Sequence, residues 1–564
     1  MSAVKVTFSA PDRIVMKWGF KQNWSDINGA MKSAAQGSAR FNGKEKNWSI
    51  PIDKAVAVAK AVREHYEELA DAIEDNQYVK NLLAETIQRV ELSSAVETDI
   101  ELPDMPIFNM MREYQRVAPI MYMTGGRKRI LIADEMGLGK SLQALGCVHF
   151  AQHKRVLIVC PAIVKHNWAN EITKWLQTTS FIINGYEGDI EQTQFNIINY
   201  DLLDRRLDHL MANDYDCIIF DEVHRIKNPK TKTSIAAMRL GKDREGIIAL
   251  SGTPITNRTI EFYPTLSMML PYMFSNYFSY AKAYCGARKT PFGWDFSGSS
   301  NIETSSDGFI TPLNHLLRDF MLRRSMDDPR IAGDMPSLVE TIIPIEITDE
   351  ELSRYKLSYN SWMEQWVDHH QQFGSESAGF SLSMMSDLRH IAGRMKIDYA
   401  IKWANDYFDQ ADKPLIIFAH HRDVVRGIFE GLDDSAMITG LTSQAERNNL
   451  IEDFQNGEIN FLVCSTNAMR EGVNLDHANT TLFVEREWTP AWEQQAAARV
   501  RRMTQEASTC HKVILSAKDT IDTMFDQVVA EKTDLVERIL DGKSGLNRDS
   551  IGKALIQKLM ERRD

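Results

Sequence analysis

A glycine-containing turn between an apolar run and a helix-like segment could bind the phosphates of a nucleotide. Residues 131 to 145 read LIADEMGLGKSLQAL, in which Gly139, Lys140 and Ser141 close the turn. Backbone N–H groups of such a turn, and the positive end of the helix that follows, attract phosphate oxygens. We expect Lys140 to contact the β- and γ-phosphates and the Ser141 hydroxyl to coordinate Mg²⁺. The candidate phosphate-binding residues are Gly137, Leu138, Gly139, Lys140, Ser141 and Leu142.

The turn departs from the usual pattern at one position. The standard phosphate-binding pattern has a glycine five residues before Gly139, and this chain has Asp134 there. Because the motif is imperfect by itself, its identity depends on the other motifs in the chain.

Two adjacent carboxylates follow a second apolar run. Residues 217 to 224 read CIIFDEVH, and the apolar part is typical of a strand buried in a parallel sheet. Nucleotide hydrolysis needs one carboxylate that supports the metal and a second group that activates water. We expect Asp221 to hold Mg²⁺ and Glu222 to be the catalytic base.

Two further segments could complete such a site. Ser251-Gly252-Thr253-Pro254 follows a strand-like run, at the place where open α/β sheets gather ligand-binding loops. Arg499 and Arg502 are three residues apart, so we expect them on one face of a helix. They are either a solvated basic surface or a pair of catalytic guanidinium groups that stabilise charge during phosphoryl transfer.

Composition restricts the class of protein only loosely. The chain has 564 residues and a formal net charge of −12, which disfavours a surface that binds nucleic acid everywhere but allows a local basic groove. Its six cysteines lack C-x-x-C spacing, so we interpret them as reduced core residues. The N-terminus lacks the apolar segment of a signal peptide, and no apolar stretch is long enough to span a membrane. We expect a soluble intracellular protein of the cytoplasm or nucleoid in a bacterial or virus-infected cell.

Charge and hydrophobic pattern predict an α/β protein of several domains. Residues 1–60 carry a net charge of +6 and residues 61–104 a net charge of −9, which suggests a basic module and an acidic helical connector. Short apolar runs then alternate with helical lengths, the pattern of parallel sheets covered by helices. The predicted domains are 1–60, the connector 61–106, a first lobe 107–259, a helical insertion 260–412, a second lobe 413–518, and a closing helix with a tail at 519–564.

The motifs in residues 107 to 541 resemble, in order and spacing, the Swi/Snf-like branch of superfamily 2 helicases. DEMGLGK, with Asp134, is that branch's own form of the loop, and residues 495–505 resemble its motif VI with Met-Thr in place of Ile-Gly. DEVH has valine where most members have alanine. The resemblance implies two RecA-like lobes, ATP and Mg²⁺ as cofactors, duplex DNA as a partner, and Gln115 as the residue that reads adenine.

Other segments resemble the annealing helicases, which carry an N-terminal HARP module. These segments are YCGARKTPFGWDFSGSSN at 284–301, FAHH at 418–421, TSQAER at 442–447, and the HARP-like residues 40–50. The resemblance implies an ATP-dependent duplex translocase that anneals or remodels branched DNA, acting as a monomer and with single-strand-binding protein as a possible partner. A strand-separating DNA or RNA helicase and a non-cycling, ATP-sensing DNA-binding scaffold are the alternatives.

The insertion contains residues that could recognise a fork. Arg288 and Lys289 could contact phosphates and Trp294 could stack on a base, although an ordinary packed loop explains the same residues equally well. His420 and His421 follow a strand-like run, and we expect a structural role for them in place of metal binding or acid–base catalysis.

Overall fold

The computed structural model of the chain divides into two compact units. The first comprises Met1–Asp134, Gly139–Arg324 and Arg538–Ser544, and the second comprises Glu135–Leu138, Ser325–Glu537 and Gly545–Asp564. The structure describes residues 4–10, 13–18, 23–35, 39–51, 54–126, 128–242, 244–255, 258–271, 273–290, 293–296, 298–302, 312–326, 328–331, 333, 336–373, 378–466, 468, 475–487, 490–501, 505–523, 525 and 539. No helix within these ranges combines the length and the apolar content that a membrane span requires.

The N-terminal part of the chain is a small antiparallel sheet with accompanying helices. Its strands are β1 (Lys5–Ala10), β2 (Arg13–Lys17), β3 (Arg40–Asn42) and β4 (Asn47–Pro51). Its helices are α1 (Trp24–Ala34), α2 (Ala55–Val62), α3 (Glu67–Glu74) and α4 (Gln77–Leu92). The strands lie in the order β1-β2-β4-β3, and all of the pairs are antiparallel.

Side chains from both sides of residue 60 share one hydrophobic core. Trp48 of β4 belongs to the same cluster as Met31 of α1, Leu69 of α3 and Val79 of α4. The structure therefore differs from the predicted boundary at residue 60, because the core of the basic module continues into the predicted acidic connector. The reversal of charge marks the exposed side of these helices and not the edge of a folded module.

A parallel sheet forms the centre of the first unit. Its strands are β5 (Arg129–Ile132), β6 (Val156–Cys160), β7 (Ser180–Ile182), β8 (Phe195–Asn199), β9 (Cys217–Asp221) and β10 (Gly246–Leu250). The strands that follow in this unit are β11 (Arg288–Thr290) and β12 (Gly293–Asp295), which form a hairpin, and β13 (Met321–Leu322), which joins the large sheet. Among the described residues, the order of the large sheet is β13-β5-β10-β9-β6-β8-β7.

Helices accompany this sheet between successive strands. They are α5 (Pro106–Asn109), α6 (Glu113–Met123), α7 (Lys140–Phe150), α8 (Lys165–Leu176), α9 (Leu203–Ala212), α10 (Lys232–Lys242), α11 (Tyr263–Met269), α12 (Tyr277–Tyr284) and α13 (Leu313–Leu317). Strands β6, β8 and β10 are buried along their whole length. Burial on both faces explains why these strands read as continuous apolar runs in the sequence.

A second parallel sheet lies in the second unit. Its strands are β14 (Ser337–Ile345), β15 (Leu415–Ala419), β16 (Ser435–Ile438), β17 (Phe461–Ser465), β18 (Thr480–Phe483) and β19 (Thr509–Ala517). Its helices are α14 (Asp349–Phe373), α15 (Ala378–Met395), α16 (Ile397–Ala411), α17 (Arg422–Glu430), α18 (Gln444–Gln455) and α19 (Pro490–Ala497). In the part of the chain that the structure describes, the order is β14-β19-β18-β15-β17-β16. The two parallel sheets confirm the predicted α/β class.

The predicted helical insertion at 260–412 is helical in most of its described residues, but it also supplies strands to both large sheets. Strand β13 pairs with β5 in the first sheet, and β14 pairs with β19 in the second. The insertion is therefore continuous with both units and is not a separate helical layer. The predicted closing helix after residue 519 lies outside the described residues, apart from 519–523, 525 and 539.

Candidate active site

Three of the predicted motifs lie side by side at the carboxyl edge of the first large sheet. Strand β10 stands between β5 and β9, so the loops that follow these strands are neighbours. Leu250, the last residue of β10, pairs with Ile132 of β5 and with Asp221 of β9. The Ser251 N–H extends this ladder by donating to the Ile132 carbonyl at 3.2 Å. Motifs that are far apart in the chain therefore meet at the edge where parallel α/β sheets bind ligands.

The candidate phosphate-binding loop ends in a left-handed glycine at the start of a helix. Gly137 and Gly139 have φ values of 94° and 74°, a region that residues with a Cβ rarely adopt. Helix α7 begins at Lys140, and an early bond of its ladder runs from Gln143 N to Gly139 O at 3.1 Å. The amides before Gln143 belong to the amino-terminal end of the helix, where backbone N–H groups and the helix dipole favour binding of an anion.

The side chains of this loop divide into polar groups near solvent and apolar groups in the core. Lys140 and Ser141 are partly exposed, whereas Leu138 and Leu142 are buried. Leu142 belongs to the hydrophobic core of the first unit, so its backbone alone remains for phosphate binding. Lys140 Nζ donates to the carbonyl of Asp134 at 2.9 Å, which holds the ammonium group across the loop.

Asp134, the unusual residue of the loop, is fully buried and bound by two side chains. Gln143 Nε2 donates to Asp134 Oδ2 at 2.9 Å, and Arg324 Nε donates to Asp134 Oδ1 at 3.0 Å. Arg324 Nη2 also donates to Gln143 Oε1 at 2.7 Å, which closes the network. The carboxylate thus anchors the start of the loop to α7 and to the segment that follows β13.

Gln115, the predicted adenine-reading residue, lies against the same loop. Its Oε1 accepts a hydrogen bond from Arg112 N at 3.0 Å, at the start of α6. A Cβ added to Gly139 would lie 2.4 Å from Gln115 Nε2, so the end of this side chain lies directly against the loop, while the positive φ of Gly139 is what favours a glycine there. The preceding carbonyl, that of Tyr114, accepts from Arg324 Nη1. Arg324 therefore connects the Gln115 segment with Asp134.

Asp221 and Glu222 stand at the end of β9, with Asp221 held from two sides. Trp168 Nε1 donates to Asp221 Oδ2 at 2.8 Å, and the Tyr200 hydroxyl donates to the Asp221 carbonyl at 2.8 Å. Burial raises the pKa of Asp221, and the negative charge of Glu222 raises it further. Glu222 adopts a left-handed conformation with a φ of 52°. The chain therefore leaves the extended conformation of the strand directly after Asp221.

The donor groups fit a magnesium ion that also binds phosphate. A buried carboxylate beside a second negative charge is stabilised by a nearby cation, and the Ser141 hydroxyl and the Asp221 carboxylate are oxygen ligands of the kind that Mg²⁺ prefers. Within the described residues, no group of three or more His, Cys, Asp or Glu side chains is arranged to hold a metal. That arrangement is compatible with Mg²⁺, which usually keeps several waters and takes further ligands from phosphates.

His224 connects the carboxylate motif with the SGTP motif. Its Nδ1 lies 3.2 Å from Glu222 Oε2 and 3.0 Å from Ser251 Oγ. Ser251 Oγ also accepts from Thr253 N at 3.2 Å, which fixes the turn after β10. The imidazole therefore joins the candidate base to the neighbouring loop, and neither sequence motif alone indicated this contact.

The structure corrects the predicted secondary structure at Arg499, one of the two arginines that we expected on a helix. Helix α19 ends at Ala497, and Arg499 lies in the turn that follows, with its N–H donating to Ala496 O at 3.2 Å. The expectation that both arginines share one helical face is therefore wrong for Arg499, because i→i−3 bonds replace the α-helical ladder there. Arg499 is buried in the second unit. Arg502 lies outside the described residues.

A network of buried charges holds α19 to the second sheet. Glu493 is fully buried and accepts from Arg486 Nη2 at 3.0 Å, from Lys512 Nζ at 3.1 Å and from Glu487 N at 2.8 Å. Burial by itself raises the pKa of Glu493, but the positive charges of Lys512 and Arg486 lower it to about 2. The helix that precedes Arg499 is therefore fixed by an ionised carboxylate.

His420 and His421 also serve to join strands of the second sheet. Glu485 Oε2 accepts from the backbone N–H groups of His420 and His421 at 2.7 and 2.9 Å. The imidazole of His421 lies 2.6 Å from Glu485 Oε1, and that of His420 lies 2.9 Å from Glu487 Oε1. These contacts tie the end of β15 to the segment after β18, which agrees with the structural role that we expected for the histidines.

Sequence reasoning missed Arg324 and Trp168 as supporting residues. Arg323 and Arg324 directly follow the short strand β13, and two arginines at the end of an apolar run are a signal of buried pairing. Trp168 has no comparable signal, because an indole on a helix is ordinarily part of the core. Its contact with Asp221 becomes visible only once α8 is placed beside β9.

Two known domain families match this chain. Residues 109–395 match the SNF2-related domain, and residues 397–504 match the helicase conserved C-terminal domain. The first match alone spans about half of the chain. The chain therefore belongs to the SNF2-related family, and the two matches confirm the predicted class of helicase-type enzyme.

The curated relatives include SWI/SNF-related proteins and a protein named as a DNA annealing helicase. The chain is 26% identical over 535 residues to the SWI/SNF-related matrix-associated actin-dependent regulator of chromatin subfamily A-like protein 1 of Xenopus laevis, covering 90% of this chain and 52% of that protein. It is 26% identical over 436 residues to the DNA annealing helicase and endonuclease ZRANB3 of Bos taurus, covering 74% of this chain and 39% of that protein. The chain spans about half the length, or less, of these curated relatives.

A solved structure is also similar. The Sulfolobus solfataricus SWI2/SNF2 ATPase core in complex with dsDNA is 22% identical, covers 80% of this chain and 93% of that chain, and has a TM-score of 0.36.

Proposed function

We propose that this chain hydrolyses ATP in a DNA-dependent reaction and moves along duplex DNA to anneal or remodel branched DNA in replication or repair. The observation that carries the proposal is the alignment of β5, β10 and β9, whose ends stand level at one edge. This alignment brings the phosphate-binding loop, the paired carboxylates and the SGTP turn to a single site. Membership of the SNF2-related family and the similarity to an annealing helicase support the DNA substrate.

Each residue of the site has a proposed task. Lys140 and the first amides of α7 bind phosphates, and Ser141 and Asp221 hold Mg²⁺, which neutralises phosphate charge when it is bound. Glu222 accepts the proton of the attacking water. Gln115 reads adenine through its side-chain amide, as the family resemblance implies. Arg499 and Arg502 complete the site by stabilising charge on the transferred phosphoryl group.

We propose that the protein binds DNA mainly through contacts with phosphates and not through contacts with base edges. A motor that steps along any sequence cannot depend on reading bases, and phosphate contacts carry no sequence information. We propose the N-terminal module beginning with residues 1–60 and the segment 260–412 as the parts that recognise forks. The protein is proposed to act as a monomer in the compartment that holds the DNA, on strands coated with single-strand-binding protein.

Measurement of ATP hydrolysis with different nucleic acids tests the motor. We expect strong stimulation by blunt duplex and forked DNA and weak stimulation by single-stranded RNA. Lys140→Ala is the matched control, because it removes the phosphate contact and should abolish hydrolysis while DNA binding remains. Stimulation by RNA alone would exclude a duplex-DNA motor, and absence of any ATP hydrolysis would favour the non-cycling scaffold.

An annealing assay distinguishes rewinding from strand separation. The substrate is a forked duplex with an unpaired bubble coated with single-strand-binding protein, and the readout is recovery of the fully paired duplex. We expect recovery only with ATP and not with Lys140→Ala. Release of single strands from a complete duplex would instead identify a strand-separating helicase.

A further inference from the structure

The hairpin of β11 and β12 is firmly fixed to helix α12. Ser300 N donates to the Tyr284 carbonyl at 2.9 Å, and Asn301 Nδ2 donates to the Ala283 carbonyl at 2.7 Å. These bonds hold the chain beyond the hairpin against the end of α12. A Cβ added to Gly298 would lie 3.3 Å from the carbonyl oxygen of Cys285, so the two chain segments approach closely. The hairpin is therefore set at a defined position and is not a loosely attached loop.

An aromatic cluster supports one exposed ring of this hairpin. The centroid of Trp294 lies 4.5 Å from that of Phe278 of α12 in an edge-on contact, and 6.4 Å from that of Phe296 in a nearly parallel orientation. The ring centroids of Phe296 and Tyr277 lie 5.8 Å apart, so the aromatic cluster continues toward the core. Trp294 nevertheless keeps 44% of its surface exposed. Packing thus fixes the orientation of an indole while leaving part of it open to a ligand.

Two lysines flank the exposed indole. Lys289 is the cross-strand partner of Trp294, and Lys282 Nζ lies 5.9 Å from the centroid of the same ring. Within the described residues, no carboxylate lies at ion-pair distance from either lysine. Arg288, by contrast, is paired with Asp295 at 3.0 Å and braces the hairpin. In a chain with a net charge of −12, this combination creates a local positive site around an aromatic ring.

The chemistry of this surface matches an unpaired nucleotide. A base stacks on an exposed indole, and its phosphates attract ammonium groups, which are the two elements of single-strand binding. A base inside a duplex is stacked on its neighbours and cannot cover the ring. The surface therefore selects DNA in which pairing has been interrupted.

We infer that the β11–β12 hairpin holds an unpaired nucleotide at a DNA branch, with the base on Trp294 and the phosphates near Lys282 and Lys289. This inference rests on the proposed function, since it supplies the contact by which a duplex motor detects a fork. On this inference, the β11–β12 hairpin is the part of the protein that makes it prefer branched DNA to continuous duplex DNA.

Binding of a forked DNA and of a blunt duplex of equal length, measured by fluorescence anisotropy without ATP, tests the inference. We expect Trp294→Ala to weaken fork binding by roughly 5- to 150-fold, the range for loss of one stacked base, with little change for the blunt duplex. Trp294→Phe should retain most of the fork affinity. Lys289→Ala should weaken fork binding and reduce its dependence on salt concentration.

Tyr186→Ala is the matched control. Tyr186 is an exposed aromatic residue of the same unit with the guanidinium of Arg205 4.0 Å from its ring, but it lies outside the hairpin. We expect this variant to bind forks like the unchanged protein. An equal loss in Tyr186→Ala and Trp294→Ala, or an equal loss of fork and duplex binding in Trp294→Ala, would overturn the inference.

A cross-linking experiment gives an independent result. A fork with 5-iodouracil at the first unpaired position should cross-link to the peptide that contains Trp294, and cross-links confined to other peptides would contradict the inference. Both experiments measure binding and not hydrolysis. A protein without DNA-stimulated ATP hydrolysis would therefore refute the proposed function, whereas unchanged fork binding by Trp294→Ala would refute only the role of the hairpin.

Discussion

Arg324 donates from Nε to Asp134 Oδ1 at 3.0 Å, and this buried pair joins residues 190 positions apart in the chain. The guanidinium also reaches Gln143 and the carbonyl of Tyr114. One arginine therefore connects the loop, the helix after it and the segment that carries Gln115. The aspartate that replaces the usual glycine of the loop is a structural anchor.

Restoring the usual glycine should weaken the protein. Asp134→Gly leaves Arg324 buried without its carboxylate, and loss of one partner of a buried pair costs about 3 kcal/mol or more. We expect lower stability in urea denaturation and weaker binding of a fluorescent ATP analogue. The double variant Asp134→Gly/Arg324→Met should recover part of the stability, because it removes the unpaired charge.

The control for this prediction is an exposed ion pair. Asp328 lies 2.6 Å from Arg330, whose side chain is largely exposed, and Asp328→Gly should cost less than about 1 kcal/mol. If Asp134→Gly matched the unchanged protein in both assays, the buried pair would not be what holds the loop.

Glu222→Gln should stop hydrolysis while nucleotide still binds. Glutamine keeps the shape of the side chain but cannot accept a proton, and loss of a general base reduces turnover by roughly 10²- to 10⁴-fold. Steady-state kinetics and the binding of the ATP analogue provide the measurement. Glu245→Gln is the control, because Glu245 pairs with Lys128 beside the amino ends of β5 and β10. Near-normal turnover in Glu222→Gln would show that another group is the base.

Ser251→Ala should lower turnover without preventing nucleotide binding. The hydroxyl positions His224, whose Nδ1 lies 3.2 Å from the Glu222 carboxylate. We expect a reduction of roughly tenfold in kcat with little change in KM, since the substitution disturbs the base and leaves the phosphate contacts intact. Ser267→Ala removes a comparable hydroxyl on α11 and should behave like the unchanged protein. A change confined to KM would argue against this positioning role.

Glu493→Gln should destabilise the second unit in a pH-dependent way. The ordinary pKa of the group is 4.5 and its pKa in the folded protein is about 2, so ionised Glu493 stabilises the fold above pH 4.5 and loses this effect as pH falls toward 2. At pH 7 we expect a loss of roughly 3 kcal/mol, because Lys512 and Arg486 lose a buried counter-charge.

Urea denaturation at a series of pH values checks this prediction. The difference between Glu493→Gln and the unchanged protein should be constant above pH 4.5 and should shrink below it. Glu346→Gln breaks an exposed pair with Lys518 and should have little effect at any pH. A difference that grew as the solution became acidic would contradict the assignment.

Removal of the N-terminal module should preserve ATP hydrolysis only when α4 is kept. Arg89 of α4 is buried and donates to the carbonyls of Thr124 and Asp319, so this helix supports the first unit. We expect deletion of residues 1–75 to retain duplex-stimulated hydrolysis and to reduce annealing of forks. Deletion of residues 1–90 should lose both activities. Unchanged annealing after the shorter deletion would remove the fork-recognition role of the module.

The sequence predicted the buried strands well because burial on both faces leaves a local signature. Apolar runs that the sequence shows at residues 156–160, 246–250 and 415–419 coincide with β6, β10 and β15. Strands β13 and β14 escaped prediction for different reasons. Strand β13 has only two residues, which is too short for a recognisable pattern. Strand β14 lies at the edge of its sheet with most of its residues exposed, so it lacks the continuous apolar run that is typical of a central strand.

The site was predictable where a motif is local and unpredictable where it depends on distant pairing. The roles proposed for Lys140, Asp221 and Glu222 follow from short motifs and stay predictions. The Arg324 anchor and the Trp168 bond to Asp221 arise only after folding brings separate segments together. The setting of Arg499 was mispredicted because spacing alone cannot show where a helix ends.

The pairing of β14 with β19 has a consequence for the newly made chain. The two strands form nine residue pairs, from Ser337 with Thr509 to Ile345 with Ala517. At a synthesis rate of roughly 5–20 residues per second, β14 leaves the ribosome on the order of 10 to 30 seconds before its partner. During this interval the backbone N–H and C=O groups of β14 lack a partner strand, beside Leu338, Val339 and Ile342, which stay exposed in the folded chain as well. The nascent chain should therefore bind a chaperone over this segment until translation delivers β19.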